Sequence, residues 1–175
     1  AEWLAPEWLH WMGQQHGDVA LRIETGYSNL LHRQLDDGLL DMAVLFLPQT
    51  RPGVAIETLY IDDLLLVSTQ QRDVTSGWLK DYVFVDWSYD FQTAHAEAFP
   101  DMELAPMTVP LPNVALNHIL THGGAAYLAR ATVEPWISDG QLHEVAGAPT
   151  FQRPVYLAYR NDPVDGQIQA TALAG

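Results

Sequence analysis

His118 and His122 stand four residues apart on one expected helix, a spacing that lets two imidazoles reach one divalent cation. The residues between them, Ile119-Leu120-Thr121, lack the glutamate that a zinc protease of this spacing uses as general base. No third ligand stands at a defined distance, so the pair reads as surface or core histidines, and no metal site is expected. Asp86 lies near the end of the expected strand 82–87, where a carboxylate can orient a histidine such as His95 for acid–base work. Binding proteins without chemistry also place carboxylates at strand ends. The chain has no cysteine, hence no thiol nucleophile, thiolate metal site or disulfide scaffold. G-x-S-x-G, P-loop and G-x-G-x-x-G motifs are absent as well. Gly123-Gly124 reads first as a helix stop and turn. Asp36-Asp37 and Asp62-Asp63 read as solvated turns. The residues point to binding rather than catalysis, with no cofactor.

Two segments suit the polar end of a small molecule. Tyr27-Ser28-Asn29 opens one expected helix, and Pro112-Asn113-Val114 opens another. A helix N-terminus offers free N–H groups and partial positive charge to a carboxylate. Ser28 and Asn113 are also ordinary N-cap residues, and capping and ligand contact can coexist.

The elements that carry these residues alternate between helix and strand. Apolar spacing predicts a helix over 3–15, with Leu4, Trp8, Trp11, Met12 and Gln15 near helical period. Trp3, Trp8 and Trp11 fit either core packing or a subunit interface. Alternation predicts a strand over 19–24. A helix Ser28–Asp37, with Leu30, Leu31 and Leu35 to one side, stops at Gly38 before a strand over 40–46. Strands are expected near 54–60, 63–69, 82–87, 103–110, 125–129, 142–145 and 154–159. Helices are expected near 89–98, 113–122, 131–138 and 164–173. Such alternation predicts an α/β fold with a largely parallel sheet.

A chain of 175 residues with 48% hydrophobic and 17% charged residues buries a core of its own. Its net charge of −14 and a longest basic feature of only His32-Arg33 argue against direct DNA contact. No apolar run is long enough to span a membrane, and no signal peptide is visible at the start.

Residues 35–44 read L-x-x-G-x-L-D-x-A-V, and after a proline residues 58–67 read x-L-x-x-D-x-L-x-L-V. This wording resembles the effector-binding domain of LysR-type transcriptional regulators. Leu116–Leu128 is similar to that family's helix, glycine turn and strand, Trp136–Val145 to its l-x-x-G-x-L-x-x-V stretch, and Arg153–Arg160 to its returning strand. Tyr82–Phe91, with Asp86-Trp87 and Asp90-Phe91, resembles the subgroup of the flagellar-operon repressor of enteric bacteria. Two features depart from the pattern. Leu128-Ala129-Arg130 stands where the family usually has proline, and the family's first strand, winged helix-turn-helix and linker helix have no counterpart here.

The resemblance implies a two-lobed, periplasmic-binding-protein-like (type II) α/β fold with two crossing hinge segments. Lobe I would be 1–68 plus 154–175, and lobe II 69–153. It implies a small-molecule effector in an interlobe cleft, met by Tyr27, Ser28, Asn29, Phe46, Pro48, Asp86, Trp87, Ser88, Asn113, Val114 and Gly123. It also implies a cytoplasmic homodimer or tetramer, with Trp8, Trp11 and Gln15 at the interface and DNA bound through an N-terminal domain absent from this chain. An extracytoplasmic solute-binding protein of the same fold is the alternative. An enzyme using Asp86 and a histidine is a third reading.

Overall fold

The computed structural model describes residues 4–75 and 77–174. The chain forms two compact units, residues 1–61 with 154–175 and residues 62–153. Among the described residues no helix is long and apolar enough to cross a membrane.

Unit 1 holds α1 (Leu4–Gln15), α2 (Ser28–Asp36), β1 (Met42–Leu45) and α6 (Gly166–Ala174). It also holds the first part of β2 (Val54–Ser68) and most of β7 (Phe151–Arg160), in the strand order β1-β7-β2. β1 runs antiparallel to β7, with Met42 opposite Tyr159 and Leu45 opposite Tyr156. Gly38, at φ 70°, ends α2. Its N–H bonds to Leu35 O, and the next N–H, of Leu39, bonds to Gln34 O. This paired closure needs the left-handed residue that glycine supplies. The core is small and aliphatic: Leu31, Leu35, Ala43, Leu45 and Ala158.

Two expectations for this unit fail. Residues 19–24 form no strand, and Leu21 and Ile23 are exposed. Alternation makes a strand only where a neighbour takes its backbone hydrogen bonds, and among the described residues none of the β pairings involves this segment. Leu30 is exposed too, and the buried face of α2 is Leu31, His32 and Leu35. Trp3 lies outside the described residues.

Unit 2 holds the rest of β2, a 3-10 turn (Trp78–Asp81), β3 (Tyr82–Val85), α3 (Tyr89–Ala98) and β4 (Met107–Val109). α4 (Pro112–His122), β5 (Ala125–Ala129), α5 (Arg130–Ser138) and β6 (His143–Glu144) follow. The strand order is β2-β5-β3-β4, with β6 also on β2. β3 and β5 are buried on both faces, which is why they read as continuous apolar runs. Leu65, Val67, Val83, Val85, Ala126 and Leu128 meet Ala115 and Ile119 of α4 and Val133 of α5. The alternate residues Leu64, Leu66, Tyr82 and Tyr127 meet Trp78 and Phe91 on the other face. Gly124 is required by close approach: a Cβ there would lie 2.5 Å from Asp81 O.

The sheet is mixed rather than largely parallel. β3 pairs in parallel with β4 and β5, while β2 runs against β5 and β6 and β1 runs against β7. The segments expected at 54–60 and 63–69 are one strand, and the first crossing between units falls inside it, at 61–62 rather than 68–69. Asp62-Asp63 reads as a turn in sequence, yet Asp62 is buried within the strand.

Candidate functional site

In unit 1, α2 starts one residue earlier than a serine cap would set it. Tyr27 is the N-cap, and its carbonyl accepts from Leu30 N at 2.9 Å and Leu31 N at 3.1 Å. Ser28 is therefore the first helical residue and not the cap. Tyr27 and Asn29 are exposed and Ser28 is half-buried. After β1 the chain continues through half-buried Phe46, exposed Leu47 and half-buried Pro48. Gln49 N donates to His32 Nε2 at 3.0 Å, and Leu47 O lies 3.3 Å from the same nitrogen. His32 is fully buried, so it ties the segment after β1 to α2. Sequence reasoning missed His32, although its place four residues after Ser28 and three before Leu35 was a usable signal.

In unit 2, Asp86–Ser88 follow β3 and Pro112–Val114 follow β4. These strands are parallel neighbours, Val85 opposite Val109, and Asp86 N donates to Val109 O at 2.9 Å. The structure thus brings both segments to the C-terminal end of one parallel pair, where open α/β sheets gather ligands. Asp86 is exposed, and its carboxylate accepts from Gln92 Nε2 at 2.6 Å. Trp87 Nε1 donates to Tyr127 O at 3.0 Å, and the Arg153 guanidinium lies 4.3 Å from its ring centre. Ser88 caps α3, its hydroxyl accepting from Phe91 N at 3.2 Å.

Asn113 is not the cap of α4. Leu111 is, and Pro112 takes the first helical position, which tolerates a missing N–H. Val114 is exposed. Gly123 ends α4, at φ 82°, with its N–H on Ile119 O. It precedes β5, whose Ala125 pairs with Tyr82 at the start of β3. Gly123 therefore sits at the end of the parallel strands opposite to Asp86 and Asn113, and the structure does not bring it to them.

Asp86 and His95 have different partners, Gln92 and Tyr82. His95 is 2% exposed, with Nε2 3.0 Å from the Tyr82 hydroxyl. The rings of Phe84, Phe91, Phe99 and Tyr127 surround it at 5.1–5.5 Å between centroids. Burial pushes its pKa down to about 4 and pushes the Tyr82 hydroxyl up. A neutral imidazole in an aromatic core is a packing group, while Asp86 is engaged by Gln92. Asp62 also has a raised pKa, from burial, opposed by backbone hydrogen bonds from Asp63 and Ala131 and by the charge of Arg153. The His118 and His122 rings lie 5.0 Å apart. Among the described residues no group of three or more His, Asp or Glu is placed to hold a metal.

Of the expected interface residues on α1, Gln15 is exposed, while Trp8 and Trp11 are half-buried. Trp8 Nε1 donates to Ala172 O of α6 at 3.0 Å, and Met12 is buried.

The profile of the family described as LysR substrate binding domain matches residues 1–170. No curated protein matches the chain in sequence. Among solved structures, the full-length regulator LysG from Corynebacterium glutamicum, with bound effector Arg, is 14% identical with a TM-score of 0.74. That match covers 97% of this chain and 60% of LysG. A full-length OxyR variant from Pseudomonas aeruginosa is 18% identical at TM-score 0.75, over 98% of this chain and 63% of that one. The regulatory domain of MetR, a LysR family regulator from N. meningitidis, is 16% identical at TM-score 0.70, over 99% of this chain and 85% of that domain. These likenesses establish the fold, and the chain spans about three-fifths of the full-length proteins.

Proposed function

The chain belongs to the LysR substrate binding domain family, and from that premise we propose that it is the effector-sensing part of a LysR-type transcriptional regulator. The observation that carries this reading is a family match running over residues 1–170, nearly the whole chain. The acidity of the chain agrees with it, because DNA contact then belongs to another domain of the regulator and the protein works in the cytoplasm beside its DNA. The extracytoplasmic solute-binding alternative and the enzyme reading have no such support. The kinship with the flagellar-operon repressor subgroup rests on Asp86-Trp87 and Asp90-Phe91 alone.

The effector meets Tyr27, Ser28, Asn29, Phe46 and Pro48 in unit 1, and Asp86, Trp87, Ser88, Asn113 and Val114 in unit 2. Gly123 is left out because of its place at the far end of the strands. No turnover is involved. An effector that binds one conformation better than another shifts their populations by its differential affinity, and a dimer or tetramer passes the shift to DNA. The small molecule offers a polar group to the start of α2 and a planar or apolar body to the aromatic residues.

Thermal shift against amino acids, with L-arginine first because it is the effector bound to LysG, and against aromatic carboxylates tests the site. A ligand at a hundred times its Kd adds about 2.7 kcal/mol of stability. Ser28→Ala and Asp86→Asn should each shrink that gain, and a gain untouched by both variants would put the site elsewhere. For the dimer, Trp11→Asp should reduce the sedimentation mass. An unchanged mass would remove α1 from the interface.

A further inference from the structure

We infer that His32 is a positioning residue that locks the segment after β1 onto α2, holding Leu47-Pro48-Gln49 beside the opening turn of that helix. His32 is 0% exposed, between Leu31 and Leu35 on the buried face. An apolar side chain would fill that place without bringing polar atoms into the core. The histidine supplies an acceptor that no apolar residue has. Gln49 N–H donates to Nε2 at 3.0 Å, so Nε2 holds its lone pair and the ring proton sits on Nδ1. Leu47 O lies 3.3 Å from the same nitrogen and cannot be served in that state, since one nitrogen does not accept and donate at once. Nδ1 is buried with no hydrogen-bond partner among the described residues.

The segment needs such an anchor. β1 ends at Leu45, residues 46–50 belong to no strand, and Pro48 has no N–H to give. The buried imidazole therefore replaces the sheet ladder that stops there. Helical side chains lean toward the helix N-terminus, so a ring at position 32 reaches over the turn that carries Ser28. One side chain thus joins the two pieces of unit 1 proposed to meet the effector. The importance of the lock rests on that proposed reading, but the lock itself does not.

Amide hydrogen exchange, read by NMR on the whole chain, tests it directly in the wild type, His32→Gln and His32→Phe. Glutamine places a carbonyl oxygen within reach of the Nε2 position, while phenylalanine keeps the ring and removes the acceptor. In His32→Phe the Gln49 amide should exchange about tenfold faster, the loss of one ordinary hydrogen bond, with Ala43 and Leu45 unchanged. His32→Gln should restore the slow exchange. Equal exchange at Gln49 in all three proteins overturns the lock, and so does a glutamine variant as fast as the phenylalanine one. If His32→Phe does not fold, nitrogen-15 shifts of the wild-type imidazole decide, because a neutral ring protonated on Nε2 contradicts the bond from Gln49. A lock that stands while Ser28→Ala leaves ligand binding intact would sink the effector contact alone.

Discussion

The two units bury their polar atoms in different ways. In unit 2 several inward polar groups have hydrogen-bond partners: His95 with Tyr82, Trp87 with Tyr127 O, Tyr127 with Pro149 O, and Ser68 with Gln70 N. Two apolar clusters back them, one on each face of the sheet. Unit 1 has one cluster of five buried residues, yet His32 Nδ1, Gln34 Oε1, Arg51 Nε and Arg160 Nε are all buried there without a partner among the described residues. A partnerless buried polar atom raises the free energy of the state that holds it, and a thin core has little to set against that. Unit 1 is therefore expected to open locally at lower cost than unit 2.

The contrast can be broken most easily in the aromatic core of unit 2. Phe91, 5% exposed, packs against Phe84, His95, Tyr127 and Phe151. Phe91→Ala should cost about 4 kcal/mol in urea denaturation, as large aromatic deletions in tight cores do. A loss below about 1 kcal/mol would mean that the cluster collapses around the gap and is no rigid frame.

Next in size is a dependence on pH. His95 in the folded chain takes a proton only near pH 4, whereas an unfolded histidine does so near 6.5. As pH falls through 6.5 the unfolded state binds the proton first, so stability present above 6.5 is lost on acidification, and the loss is complete below about 4. The slope between those values is about 1.4 kcal/mol per pH unit, or roughly 3 kcal/mol in all. His95→Phe should abolish that part of the slope, although it lowers the baseline by leaving the Tyr82 hydroxyl alone. A slope unchanged in the variant would move the titration to another group.

The finest test uses a matched pair, because Trp8 in unit 1 and Trp87 in unit 2 each donate an indole N–H to a backbone carbonyl at 3.0 Å. Trp8→Phe should cost about 1 kcal/mol, the worth of one hydrogen bond. Trp87→Phe should cost more, roughly 1.5–2 kcal/mol, since it also weakens the stacking of Arg153. Equal losses would blur the distinction between the units.

Local order was legible wherever a single residue fixes the chain. Gly38 marked the end of α2, and Ala125–Ala129 read as the strand it is, because a fully buried strand needs no alternation. What the sequence hid depends on neighbours. Residues 19–24 alternate like a strand but join no strand pairing among the described residues, and β2 runs on through Asp62 into its pairing with β5. The parallel expectation failed because alternation of helix and strand does not reveal that β2 runs against β5. In the site, Ser28 and Asn113 sit one or two positions inside their helices because Tyr27 and Leu111 supply the caps through backbone alone. His32 was overlooked for a like reason: one histidine among leucines shows no role until Gln49 is folded against it.

Whether this chain is the sensing part of a DNA-binding regulator can be decided by sequencing its gene upstream of the codon for Ala1. An in-frame segment encoding a helix-turn-helix and a linker helix is the expected result, since that motif would supply the DNA contact of the proposed regulator. A start codon followed by a charged stretch, an apolar stretch and a cleavage site would contradict it, and would make the protein a secreted solute binder.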